Sequence, residues 1–355
     1  MVAFASEKND SRQPFVGTAF DAAWPTPGYL EAENILGIVR FCRSGEVAPS
    51  HAIDAPILSI DTVHHEGDAF SEIWTSTRPV TYRTTGSFRF AFDGQNLFGC
   101  TSFGNGAGSN LAQITRRTYG ALFGHLNQLG YPHLFRMWNY LPRINQEEGG
   151  LERYRAFCLG RSQAFQEAFT SSSTAMPAAT GMAKNADSGV DLYFLASAHE
   201  NVIHLENPRQ TPAYQCPAKY GPKPPSFSRA SFVPRTVNGF ELYVSGTASV
   251  LGSRSMFPDD SRRQCATTLE NIELLIGKAN LESYGIAHSF NLHDMDNLKV
   301  YYRRQSDLPA IREMCQKRFS ERSQIAYLHV DICRSDLLVE IEGSITSEKQ
   351  RRTYC

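Results

Sequence analysis

The chain has 355 residues, more than one typical hydrophobic core organises, so two domains or one large one are expected. Hydrophobic residues make up 41% and charged residues 20%, an ordinary globular balance, and a formal net charge of −1 gives no basis for nucleic acid or an anionic membrane as partner. No apolar run approaches the roughly 20 residues of a membrane span.

The first fifteen residues, MVAFASEKNDSRQPF, have no cationic start leading into an apolar stretch, so no secretory signal is expected. Residues 1–55 read as an N-terminal extension ahead of the organised part. The run VHHEGD (63–68) invites a metal reading, but nothing else completes such a ligand set; it reads as a loop, and neither metal nor cofactor is expected. Eight cysteines (42, 100, 158, 216, 265, 315, 333, 355) are scattered without a CxxC pair, the pattern of free thiols in a reducing cytoplasm.

An internal repeat follows. Its first copy, in a domain over 56–204, starts with a turn and strand at DGQNLFGCTSF (93–103). A helix comes next, ITRRTYGALFGHLNQLG, with Ile114, Leu122, Phe123, Leu126 and Leu129 on one face. A strand at LFRMWNYLPRIN (134–145), a helix over 150–169, and strands in PAATGMAKN and GVDLYFLASA complete it. The connector 205–230, with six prolines, reads as extended and non-helical.

The second copy, in a domain over 231–355, repeats that order. NGFELYVSGTASV (238–250) is the turn and strand, ATTLENIELLIGKAN (266–280) the helix, MDNLKVYYRRQSD (295–307) the strand and LPAIREMCQKRF (308–319) the second helix. It ends in IAYLHVDIC and LLVEIEGS. Two such halves, each a mixed sheet with helices on one face, make an α+β architecture. In LLVEIEGS (337–344), alternation puts Leu337, Val339 and Ile341 on one face and Leu338, Glu340 and Glu342 on the other. An acidic residue on an open strand face is usually just solvated, so the strand alone does not decide whether either carboxylate does chemistry.

The order SGTAS, helix, NLKVYYR, helix, LHVDICRSDLLVEIEG resembles the RidA (YjgF) superfamily, with HVDICR and VEIEG matching its closing strands over about 205–345, and more faintly over 90–200. Within it, MWNYLPRIN, GLERYRAFCLGR, ENPRQTPAY and YGPKPPSFSRA resemble the chorismatases, two-domain members that include enzymes of the xanthomonadin type. The resemblance implies two fused RidA-like domains with the ligand cleft between the halves, chorismate as substrate, and a monomer that is pseudo-oligomeric through its repeat. It implies that Glu340 is the catalytic acid, protonating the methylene carbon of the enolpyruvyl ether. Glu340 is preferred to Glu342 because Glu342 lies nearer the strand exit, where solvent is expected.

The same resemblance gives a pair that selects the product, Gly246 and Cys333. Alanine in the first place without the cysteine goes with hydrolysis to pyruvate and a dihydroxycyclohexadiene carboxylate. Gly246 with Cys333 goes with pyruvate and 3-hydroxybenzoate, 4-hydroxybenzoate being a second product in the xanthomonadin-type branch. Strand parity would put His329, Asp331 and Cys333 on one face. A dianionic substrate calls for cations, and Arg155, Arg161, Arg229 and Arg312 are the candidates, with Tyr214 and Tyr220 as hydroxyl donors. Each has an ordinary alternative: solvated arginines, a buried structural thiol, a close-contact glycine, tyrosines pinning the connector. The first half has no glutamate corresponding to Glu340, its last strand reading VDLYFLASA, so one catalytic site is expected. A non-catalytic small-molecule-binding regulator on the same scaffold is the reading from another class.

Overall fold

In the computed structural model, which describes residues 16–21, 34–43, 53–64, 69–104, 110–169, 176–185, 189–235 and 239–347, the strands gather into three main sheets. Strands β1 (Val16–Asp21), β2 (Asn34–Cys42), β3 (Ile57–Asp61) and β4 (Phe70–Ser76) form one, in the order β1-β4-β2-β3. The first half follows as β5 (Thr81–Thr85), β6 (Phe88–Phe92), β7 (Asn96–Phe103), α1 (Leu111–Leu129), β8 (His133–Pro142), α2 (Arg153–Ala168), β9 (Ala178–Lys184) and β10 (Val190–Ser197). The second half is β11 (Ile203–Leu205), β12 (Ala230–Pro234), β13 (Phe240–Ala248), α3 (Ser261–Ile276), α4 (Lys278–Ser283), β14 (Asn297–Tyr302), α5 (Leu308–Arg318), β15 (Gln324–His329) and β16 (Val339–Thr346).

The two halves share one topology. Their sheets run β9-β8-β10-β7-β6-β5 and β15-β14-β16-β13-β12-β11, so in each the last strand inserts between the third and fourth. β8–β9 and β14–β15 are parallel, and a parallel pair needs a crossover; α2 and α5 supply it. The α+β class and the paired halves hold at the level of strand order.

Local chemistry sets the helices. Asn110 caps α1 by accepting from the Gln113 amide at 3.2 Å, and Gly130, with φ at 83°, closes it in the left-handed region glycine favours. The face of α1 with Tyr119, Leu122, Phe123 and Leu126 is buried against α2, where Tyr119 meets Phe157 edge-on at 6.0 Å. At Gly160 a Cβ would run into the Ala112 carbonyl, so glycine lets the two helices approach. The helix expected over 266–280 is two, since Gly277 is extended (φ −72°, ψ 158°) and divides α3 from α4.

Four expectations change. Strand pairing carries the N-terminal sheet on to Ser76, past residue 55, because β3 and β4 both bond to β2. The connector holds two single 3₁₀ turns, Ala213–Gln215 and Ala218–Tyr220, each starting after a proline whose fixed φ suits a first turn. β15 stops at His329, so Cys333 lies on the loop that follows. Of the 63–68 run, Val63 and His64 pair with β15 and the rest lies outside the described residues. Among the described residues no helix is long and apolar enough to cross a membrane.

Candidate active site

β13 and β16 pair antiparallel, but their register shifts between Val244 and Thr247. That bulge frees two residues to bond outside their own sheet. Ser245 Oγ accepts from the Ala179 amide at 2.9 Å, and the Gly246 amide donates to Thr180 Oγ1 at 3.1 Å. The edge strand of the first half thus docks on the bulge of the second. Further along the same edge, Met182 bridges Ile332 and the Ala183 amide donates to the Asp331 carbonyl at 3.0 Å, which fixes the Cys333 loop.

Between these contacts lies a cavity bounded by both halves. The first half lines it with Asn139, Tyr154, Arg161 and Thr180, the second with Arg229, Gly246, Cys333, Arg334 and Glu340. Gly246 has a steric reason: a Cβ there would collide with Glu340 Oε1. Cys333 Sγ lies 3.8 Å from Glu340 Oε2, a weak donor contact.

Glu340 is 4% exposed and sits in the cavity wall. Burial first, and then the neighbouring Glu342 carboxylate, push its pKa up to about 8, against the pull of Arg229, Cys333 and Arg334. Near neutral pH the group is therefore mainly a carboxylic acid, the state a proton donor needs. Glu342 behaves in the opposite way. It is 1% exposed, so the expectation that it meets solvent is overturned; it points into the core, where cations and hydroxyls from the other strands hold it.

Arg161 and Arg229 are both buried, and each has an Nε–H without a partner. Arg161 rests over Tyr119 and Phe165, while Arg229 lies over Phe227 and donates to the Thr211 carbonyl at 3.1 Å. Two buried guanidinium groups lining one cavity are fitted to a ligand with more than one carboxylate.

The other four expected contacts lie off the cavity wall. Arg155 is partly exposed and pairs with Glu152 at 3.8 Å, one turn away on the outer side of α2. Arg312 lies over Tyr327 on α5. Tyr214 is half-buried near Glu206 and Tyr284. Tyr220 carries the Arg334 guanidinium on its ring at 4.0 Å, so it supports a lining residue instead of facing the cavity. Arg334, Asn139, Tyr154 and Thr180 were not singled out from the sequence. Arg334 directly follows Cys333, and Tyr154 directly precedes Arg155, so adjacency to marked positions was the available signal.

A family model described as Chorismatase FkbO/Hyg5-like, N-terminal, matches residues 72–196. A 3-hydroxybenzoate synthase of Streptomyces hygroscopicus is 40% identical over 316 residues, covering 88% of this chain and 92% of the relative. A chorismatase of the same species is 38% identical over 314 residues, covering 88% and 90%. The crystal structure of a chorismatase, 35% identical, superimposes with a TM-score of 0.87 over 94% of this chain and 99% of that one. On sequence and structure over nearly its whole length, this chain belongs to the chorismatase family.

Proposed function

We propose that the chain converts chorismate to 3-hydroxybenzoate and pyruvate, with Glu340 as the general acid. What supports the reading is a buried Glu340, its pKa pushed up to about 8, in the wall of one cavity that Arg161 and Arg229 also line. Chorismate brings two carboxylates for the arginines and an enol ether for the acid.

Glu340 gives its proton to the methylene carbon of the enolpyruvyl arm, leaving an oxocarbenium centre on the ether carbon. The hydroxyl on ring carbon 4 then attacks carbon 3 as the ether C–O bond breaks; the departing oxygen becomes the ketone of pyruvate. The hydroxyl proton returns to Glu340. The arene oxide so formed opens and loses its ring hydrogen to give the phenol. Atoms balance without water. Gly246 supports this branch by leaving Glu340 Oε1 room in the cavity, and Cys333 by standing beside Oε2.

Activity needs the protonated acid, so kcat/KM for pyruvate release falls as pH rises through about 8. The decisive experiment incubates the protein with chorismate and separates the products by chromatography. An aromatic phenol with pyruvate supports the reading; a dihydroxydiene acid assigns the chain to hydrolysis; no pyruvate leaves a binding protein. Glu340→Gln should lower turnover by at least about 10²-fold while leaving the fold intact. The reading extends to a monomer, since both cavity walls come from one chain, and to the cytoplasm, where the free thiols of the seven described cysteines would persist.

A further inference from the structure

Glu342 lies two residues beyond Glu340 on the same face of β16, about 7 Å along the strand. Its carboxylate has five bonding partners. Arg136 Nη2 donates at 2.5 Å and Lys299 Nζ lies at 2.9 Å. The Trp138 indole donates at 2.9 Å, Tyr301 at 3.1 Å, and Thr180 through a short hydroxyl bond. Lys299 also reaches Glu72 on β4 at 3.1 Å and Tyr193 on β10 at 2.8 Å, so all three sheets contribute. Thr180 then ties this network to the active cavity, because its Oγ1 also accepts the Gly246 amide, beside which the Glu340 carboxyl rests.

We propose that Glu342 is a positioning residue for the reaction, a fixed buried anion that keeps the neighbouring Glu340 in its proton-carrying form. The inference rests on the chorismate reading and deepens it. Burial alone would raise the pKa of Glu342, but Lys299 and Arg136 outweigh burial and hold its carboxyl below the usual range, so it stays negative. A like charge in a buried neighbour opposes ionisation of Glu340, and solvent ions do not screen it. At about 7 Å and an effective dielectric near 20, the effect is about one to two pH units.

The charged and titratable groups around Glu340 are Arg161 and Tyr154 on α2, Arg229 ahead of β12, Arg334 and Cys333 on the loop, and Glu342 on its own strand, with Tyr301 the register partner of Glu340 on β14. Of these, only Glu342 is a fixed anion. Around Glu342 the remaining groups are Arg136, Lys299, Glu72, Tyr140 and Tyr193.

The test is the pH dependence of kcat/KM for pyruvate release by the full chain. In Glu342→Gln the descending limb should move down by at least one unit, so that the loss in rate is large above pH 7 and shrinks toward pH 5. Lys299→Arg, which keeps the counter-charge that holds Glu342 negative, should leave that limb in place. Glu342→Asp should restore the parent limb. A purely structural role would lower rate or melting temperature and leave the limb in place, and that outcome overturns the proposal. If Glu342→Gln is insoluble, Glu342→Gln combined with Lys299→Met, which removes the anion together with one of its cations, decides: the limb should move down by a smaller amount, and an unmoved limb counts against. A limb below pH 6.5 in the unaltered enzyme also overturns it. Pyruvate release with an unmoved limb sinks only the role of Glu342, whereas absence of pyruvate release sinks the chorismate reading itself.

Discussion

The two halves fold to one strand order, yet their central last strands have gone separate ways. β16 carries Glu340 toward the cavity and Glu342 toward the core, both buried. β10, its counterpart, offers Asp191, which is spent on Lys184 at 2.5 Å and Ser102 at 2.6 Å, and Tyr193, which donates to Glu72 at 2.7 Å. Every acidic group on β10 is neutralised by a neighbour, while one on β16 is left with a proton instead of a counter-ion. A shared scaffold therefore fixes where a strand runs, and the partners of each side chain decide whether its charge is structural or chemical.

Four substitutions sharpen or break that contrast. The largest effect belongs to the anchors: Arg161→Met from the first half and Arg229→Met from the second should each raise KM for chorismate by about 10- to 100-fold, the worth of a charge-assisted hydrogen bond. Steady-state kinetics check this, and an effect confined to Arg229 would confine the site to one half. Next comes Gly246→Ala, whose Cβ must displace the Glu340 carboxyl. Turnover should fall by about 10-fold or less, and the product mixture should shift toward the dihydroxydiene acid, read by chromatography. Smallest on catalysis is Asp191→Asn. It should leave kcat per folded molecule unchanged while lowering unfolding stability by about 3–5 kcal/mol, because the buried ion pair between Asp191 and Lys184 is broken. Denaturant titration beside kinetics separates the two. A catalytic loss there would mean the halves are less specialised than their side chains imply.

The repeat was legible because apolar periodicity and chain order are local properties. The α1 stripe, the α2 and α5 crossovers and the alternation in β16 all follow from them. The third sheet was not, since β1 and β2 both pair with β4, which lies about thirty or more residues further along the chain. The core network escaped for a stronger reason. Arg136, Lys299, Glu72 and Glu342 look like surface charges until their partners are known, and Arg136 and Glu342 are 206 positions apart.

Among the arginines, a finer reading of helix spacing could have separated the candidates. Arg161 stands four residues after Phe157 and four before Phe165, on the buried stripe of α2, whereas Arg155 falls off it. Resemblance supplied the position of Glu340; it did not supply the physical reason that this carboxyl keeps its proton up to about pH 8, which lies in burial and in Glu342.

The cavity draws its parts from both sides of a single seam. Arg161, Tyr154 and Asn139 precede the proline-rich link, and Arg229, Arg334, Cys333 and Glu340 come after most of it. A gene crossover placed near residue 206 would reassort ligand recognition against proton chemistry in one step. Chimaeras built between relatives of different product outcome should inherit the product of whichever parent gave the C-terminal piece.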